Sequence, residues 1–216
     1  EAALVAEPYR IEPGTGSAHA LVADITKEDD VVGVFRAVQE AAGRLDVLVH
    51  CAAIQMVGSD AAVAELDKAV WDQTIQVNLG GSFLICKYGL QLMLAKPGGG
   101  SIINCGSPTA MRGSSSDFAA YSSSKGGVHA LTRVLAAEYG RQGVRVNTLV
   151  PGPTATALTA EAFRDPALRQ RLIDKISIGR LGEPDDYLGI ATFLASDESR
   201  FATGAEFVVD GGYTIS

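Results

Sequence analysis

Aromatic residues are scarce in this 216-residue chain, only 6% of it with a single tryptophan, and there are just three cysteines and three histidines. The cysteines are odd in number, with no Cys-x-x-Cys pair and no histidine at ligand spacing, so neither a disulfide framework nor a metal site is expected. A reducing, cytoplasmic setting follows as the expectation. Basic charge is also in deficit: 18 Lys and Arg stand against 25 Asp and Glu, a net charge of −7. A nucleic-acid groove or an anionic membrane surface is therefore not the expected partner. No run approaches 18 uncharged apolar residues and no basic stub leads into an apolar stretch, which argues against a membrane span or a secretory signal.

What is present is a globular composition, 47% hydrophobic and 20% charged with 24 glycines. With so few aromatics, that reads as closely packed helices on a sheet, in one domain over 1–216. Apolar runs of strand length alternate with segments of helical period, the pattern of an α/β protein with a mostly parallel sheet. Strands are expected at His19–Asp24, Asp46–Cys51, Ser101–Cys105, Val144–Val150 and Glu206–Asp210. Between them, Thr26 and Asp29 resemble a capping box opening a helix that Gly43 ends. Further helices are expected over Leu66–Lys96, Ala119–Arg141 and Asp185–Ser196, with loop and short helices from Pro151 to Gly182. Right-handed crossovers would put helices on both faces, a doubly wound, Rossmann-like parallel sheet whose ligands bind at the carboxyl ends of the strands.

Those strand ends focus attention on a few polar residues. Tyr121 and Lys125, four apart near the start of a helix, share one face. A free tyrosine with a pKa near 10 is a poor base, but a neighbouring ammonium favours the phenolate. Lowering that pKa by about three units needs about 4 kcal/mol, within reach of a partly desolvated pair. Ser107 follows the strand SIINC, and Asn78 interrupts the apolar run TIQVNLGGSFLI, either as a satisfied core amide or as part of a site. His50 reads as a hydrogen-bonded strand-end histidine or as a ligand or base. Cys51, Cys86 and Cys105, each inside an apolar run, read as small buried hydrophobes or as reactive thiols.

The segments TIQVNLGG, SIINCGS, YSSSK, RVNTLVPGPTAT, RLGEPDD and TGAEFVVDGG, in that order, resemble the short-chain dehydrogenase/reductase family from about Ala18 to Gly212. The resemblance implies an NAD(P)-dependent oxidoreductase interconverting a secondary alcohol and a ketone, with 3-oxoacyl thioesters, sugars, steroids, cyclic ketones or diols as substrate classes. It makes Tyr121 the general acid/base and Lys125 the residue that lowers its pKa and holds the nicotinamide ribose. Ser107 would bond the substrate oxygen, and Asn78 would position a water in a proton relay. For NAD or NADP, it implies contacts from Asp24 and Ile25 to adenine, from Cys51, Ala52 and Ala53, and from Pro151, Gly152, Thr154 and Thr156 around the carboxamide. A small-molecule substrate and a homo-oligomer, dimer or tetramer, are implied too. The alternative is a non-catalytic relative that binds or serves structurally.

Three departures from the family pattern stand out. His50-Cys51-Ala52-Ala53 replaces Asn-Asn-Ala-Gly, putting a methyl where the backbone would approach the cofactor. Gly106 replaces a serine often found beside the catalytic one. The glycine-rich phosphate loop is missing: Gly14-Thr15-Gly16 follows Pro13 with no strand before it or helix after it, and EAALVAE reads as the remnant of an earlier helix. The expectation is a polypeptide extending upstream by two strands and that loop.

Overall fold

A computed structural model describes residues 18–113 and 117–216. Four strands form one parallel sheet in the order β1-β2-β3-β4: β1 Val47–His50, β2 Gly100–Cys105, β3 Val144–Pro151 and β4 Glu206–Val209. In register, Leu48 lies beside Ile102 and Ile102 beside Val146, while Ile103 neighbours Val49 and Asn147. Strand neighbours in the chain point to opposite faces, so this register sorts the apolar residues into two cores.

The helices are α1 Glu28–Ala42, α2 Lys68–Ile75, α3 Gly81–Leu94, α4 Ala119–Tyr139, α5 Pro166–Ile173 and α6 Leu188–Ala195. On one face, Ile102 and Val146 pack with Cys86, Leu90 and Met93 of α3 and Leu135 and Ala136 of α4. On the other, Ile103 and Leu149 pack with Leu194 and Ile190 of α6. The sheet is thus covered on both faces, as its near-continuous apolar strands require. Because the strand order runs in one direction while α3 and α4 lie opposite α6, the β3-to-β4 crossover has the opposite hand to the two before it. A uniform right-handed winding, expected from the general rule, does not describe this link.

Two further expectations are corrected. Residues 18–24 are not a strand: they pair with no neighbour, and Val22 is 96% exposed. Apolar alternation makes a strand only where a partner supplies the ladder, and among the described residues none lies beside this segment. Nor does Thr26 cap α1. Its N–H and hydroxyl both bond the Asp24 carboxylate, and the helix opens one residue later, after Lys27, on Glu28, Asp29 and Asp30, whose charges suit a helix N-terminus. Gly43 does end α1, in the left-handed conformation at φ 69° with its N–H on the Gln39 carbonyl.

The helix expected over Leu66–Lys96 is α2 and α3 joined end to end by a π turn at Gln76–Gly80. There the Gly81 N–H is shared between the Gln76 and Val77 carbonyls. Asn78 sits inside this turn. Among the described residues no helix is long and apolar enough to cross a membrane. The EAALVAE and Gly14–Gly16 readings lie outside the described residues.

Candidate active site

The carboxyl ends of β1, β2 and β3 meet the first turns of α4, and here the sequence-predicted residues gather. α4 begins at Ala119 without a cap of its own. Its cap comes instead from Asp60, whose buried carboxylate accepts from the Ala120 N–H at 3.0 Å and the Tyr121 N–H at 2.9 Å. That contact spans 60 residues of chain, which is why local reading missed it.

Tyr121 is almost fully buried, and the Ser107 hydroxyl, 3.0 Å from Thr109 Oγ1, stands near enough to influence its ionisation. Burial pushes its pKa above the ordinary tyrosine value and the neighbouring Cys105 adds to this, while the Ser107 hydroxyl offsets part of it. This corrects the expectation that Lys125 makes Tyr121 a ready phenolate. The Lys125 ammonium lies over the tyrosine ring, 5.9 Å from its centre, and burial outweighs it. Tyr121 is therefore a neutral proton donor here. Burial also lowers the pKa of Lys125, whose Nζ donates to the Cys105 carbonyl at 2.8 Å.

Asn78 is held at both ends of its amide. Its Oδ1 accepts from the Ile54 N–H at 2.8 Å, and its Nδ2 donates to the Ile54 carbonyl at 2.9 Å and to Ser124 Oγ at 3.0 Å. Ser124 in turn donates to the Tyr121 carbonyl. Asn78 thus fastens the chain after β1 to α4, as a fully satisfied buried amide beside the Tyr121 turn. His50 belongs to the same network. Ser82 donates its only hydroxyl proton to the Asn78 carbonyl, so His50 Nε2, 2.9 Å away, must donate to Ser82. Burial and the Lys125 charge lower the His50 pKa to about 4, leaving a neutral structural imidazole.

The cysteines divide. Cys86 is buried in the core, its thiol pushed up to about 12. Cys51 is exposed, contrary to the buried reading, because it lies just past the end of β1. The neighbouring Cys51 and Cys105 thiols influence each other, raising Cys51 and lowering Cys105. Ala52 is also exposed. Ala53, like every described non-glycine residue, has a negative φ, so its methyl adds no left-handed strain.

The remaining expected cofactor contacts are spread around this centre. Asp24 is exposed, its carboxylate occupied by Thr26 and Lys27. Ile25 packs into the core around Val31, Phe35 and Leu92. At the end of β3, Pro151 and Gly152 lead to Thr154, whose hydroxyl bonds the Gly152 carbonyl and Tyr187, while Thr156 turns to Thr159.

One further buried side chain, His129, was not anticipated. It follows Tyr121 and Lys125 at four-residue spacing on α4, a periodic signal available in the sequence. Its ring reaches Ser107 on one side and Glu206 on the other.

Comparison with known proteins adds identity to this geometry. Residues 5–214 match the family profile described as enoyl-(acyl carrier protein) reductase. The chain is 40% identical to galactitol 2-dehydrogenase (L-tagatose-forming) of Cereibacter sphaeroides over 205 residues, 94% of this chain and 79% of that protein. It is 38% identical to D-threitol dehydrogenase of Mycolicibacterium smegmatis over 200 residues, 93% of this chain and 75% of that one. The crystal structure of a gluconate 5-dehydrogenase from Burkholderia cenocepacia J2315, in complex with NADP and tartrate, superposes with a TM-score of 0.83 at 32% identity. That match covers 89% of this chain and 74% of the other.

Proposed function

Since the chain belongs to the short-chain dehydrogenase/reductase family and is an NAD(P)-dependent oxidoreductase of secondary alcohols and ketones, we propose how its residues perform that reaction. Tyr121 is the acid/base, supported by its burial, its neutral state and the nearby Ser107 hydroxyl. In the direction of ketone reduction its hydroxyl gives a proton to the substrate oxygen, and in oxidation it takes that proton back. Ser107 Oγ, held within reach of Tyr121, binds the same oxygen and fixes which way the carbonyl lies.

The residues present fit a nicotinamide cofactor. Lys125 is a buried ammonium with three N–H donors, one of them on the Cys105 carbonyl, so it can also bond ribose hydroxyls. The bound cofactor supplies the hydride acceptor or donor. Asp24, Ile25, Cys51, Ala52 and Ala53 would line its adenine side, and Pro151, Gly152, Thr154 and Thr156 its carboxamide side. Ile25 would do so only with its exposed portion, since the rest of it serves the core. Asn78 would hold the Ile54 loop and Ser124 in place rather than touch substrate.

The substrate we infer is a small open-chain polyol, the class named for the galactitol and D-threitol relatives. Half-exposed Phe83 on α3 and Val134 on α4 support a homo-oligomer built on these helices, which light scattering would read. The observation that carries the reading is the buried Tyr121 with the Lys125 ammonium over its ring and Ser107 buried beside it. The deciding experiment follows absorbance of NADH or NADPH formed from galactitol and D-threitol, with Tyr121→Phe alongside. We expect turnover by the parent and a loss of at least about 100-fold in kcat for Tyr121→Phe, with cofactor affinity kept. Equal turnover by the two proteins would refute the assignment.

A further inference from the structure

β2 ends at Cys105, paired with Leu149, and the Gly106 N–H makes the last ladder bond to the Leu149 carbonyl at 2.8 Å. The next amide, that of Ser107, has passed beyond the sheet. It donates instead to His129 Nε2 at 3.3 Å. The other ring nitrogen, Nδ1, lies 3.1 Å from Glu206 Oε1 at the start of β4, and Arg133 Nη1 holds the same oxygen at 2.7 Å.

These contacts fix the chemistry of the ring. An ionised carboxylate only accepts, so Nδ1 carries the proton and Nε2 presents its lone pair to Ser107. Burial favours the neutral imidazole despite the pull of Glu206, and the Lys125 and Arg133 charges on the same helix act the same way as burial. The ring is thus a buried acceptor aimed at a single backbone N–H.

The room for this arrangement is made by Gly106. A Cβ there would stand 2.2 Å from His129 Nε2 and 2.5 Å from Thr148 Cγ2, so no side chain fits while the imidazole is in place. This gives a physical reason for the glycine beside Ser107: the volume a neighbouring serine would occupy is taken by the ring that holds Ser107. The two residues form one packing unit.

We propose that His129, braced by Glu206 and Arg133, is a positioning residue that holds the Ser107 backbone so that its hydroxyl meets Tyr121. This deepens the reading above and rests on Ser107 and Tyr121 acting on the substrate oxygen. His129 itself touches neither substrate nor cofactor. It does for Ser107 what the next rung of the ladder would have done had the strand continued.

The test compares His129→Leu, His129→Gln and Ser107→Ala, with galactitol and D-threitol as substrate probes and titration of NADH fluorescence for cofactor binding. Leucine fills the space without an acceptor, whereas glutamine can place Oε1 near the position of Nε2. We expect His129→Leu to lose about 10- to 100-fold in kcat, with KM and NADH affinity within about threefold, because small misplacement of a reacting group costs on that order. His129→Gln should recover to within about fivefold of the parent. Adding Gly106→Ala should harm the parent more than it harms His129→Ala, in which the clash with the ring is gone and only that with Thr148 Cγ2 remains. The 15N shifts of His129 should report the neutral Nδ1–H tautomer at mildly alkaline pH, a readout independent of turnover. A fully active His129→Leu beside an impaired Ser107→Ala would overturn the role of His129 alone. A fully active Ser107→Ala would overturn the reading of Ser107 and this inference with it. Equal losses in the Leu and Gln variants, or an Nε2–H tautomer, would overturn the inference while leaving Ser107 standing.

Discussion

Replacing Asp60 by alanine removes both hydrogen-bond acceptors from the first turn of α4. The two N–H groups left behind belong to Ala120, which is fully buried, and Tyr121, which is nearly so. An ordinary side-chain cap contributes about 0.5–2 kcal/mol, and a buried amide left without a partner costs about 1–3 kcal/mol. The two amides share one loop that can relax around them, so the losses do not simply add. We expect Asp60→Ala to cost about 2–4 kcal/mol. Asp60→Asn keeps one acceptor oxygen but forfeits the negative charge at the helix N-terminus and turns an amide NH2 toward the second N–H. It should cost about 1–2 kcal/mol. Urea unfolding, followed by the fluorescence of the sole tryptophan, Trp71, reads both as a fall in midpoint at constant slope. Because Tyr121 is one of the two residues held, kcat should fall in the same order. A change below about 0.5 kcal/mol in Asp60→Ala, or an Asn variant less stable than the Ala variant, would refute the reasoning.

Lys125→Met should lower both turnover and NADH affinity by about tenfold or more while leaving the melting temperature unchanged or raised, since burial already disfavours this ammonium. His50 has a folded-state pKa near 4 against 6.5 unfolded, so the unfolded chain binds more protons between those values and stability falls as pH drops from 6.5 to 4. The full effect is on the order of 3 kcal/mol, and His50→Gln should flatten that part of the stability profile measured by urea titration at several pH values. Iodoacetamide followed by peptide mass mapping should spare Cys86, which is buried with its thiol pushed up to about 12.

The parts of the molecule that were legible from the chain are those governed by local rules. Glycine at position 43 and the apolar runs SIINC and VRVNTLV give helix end and strands directly, and the four-residue step from Tyr121 to Lys125 puts them on one face. What escaped depends on residues far apart in sequence. His19–Asp24 has the apolar content of a strand, but pairing is decided by a neighbour, and among the described residues it has none. Asp60 caps a helix that starts 59 residues later, and Glu206 reaches a histidine on α4. The pKa of Tyr121 escaped for another reason. A spacing of four residues shows that a lysine is near, but the sign of the shift depends on how much water both groups have lost, and in this fold burial prevails.

The π turn at Gln76–Gly80 can be viewed as a question of chain length. A π turn holds one more residue per turn than the α-helix around it, so α2 and α3 are joined by what amounts to a single insertion. Losing that residue would allow an uninterrupted α-helix, locally the more favourable conformation. Winding all the residues present into an α-helix instead would rotate everything on one side of the turn by about 100° relative to the other. Asn78 would then leave Ile54 and Ser124, and Ser82 would leave His50. At its present length the helix cannot be regularised without dismantling the polar network behind Tyr121, and a deletion between 76 and 80 would displace Asn78 from the widened turn, so such deletions should be far scarcer in functional variants than substitutions at the exposed Gln76.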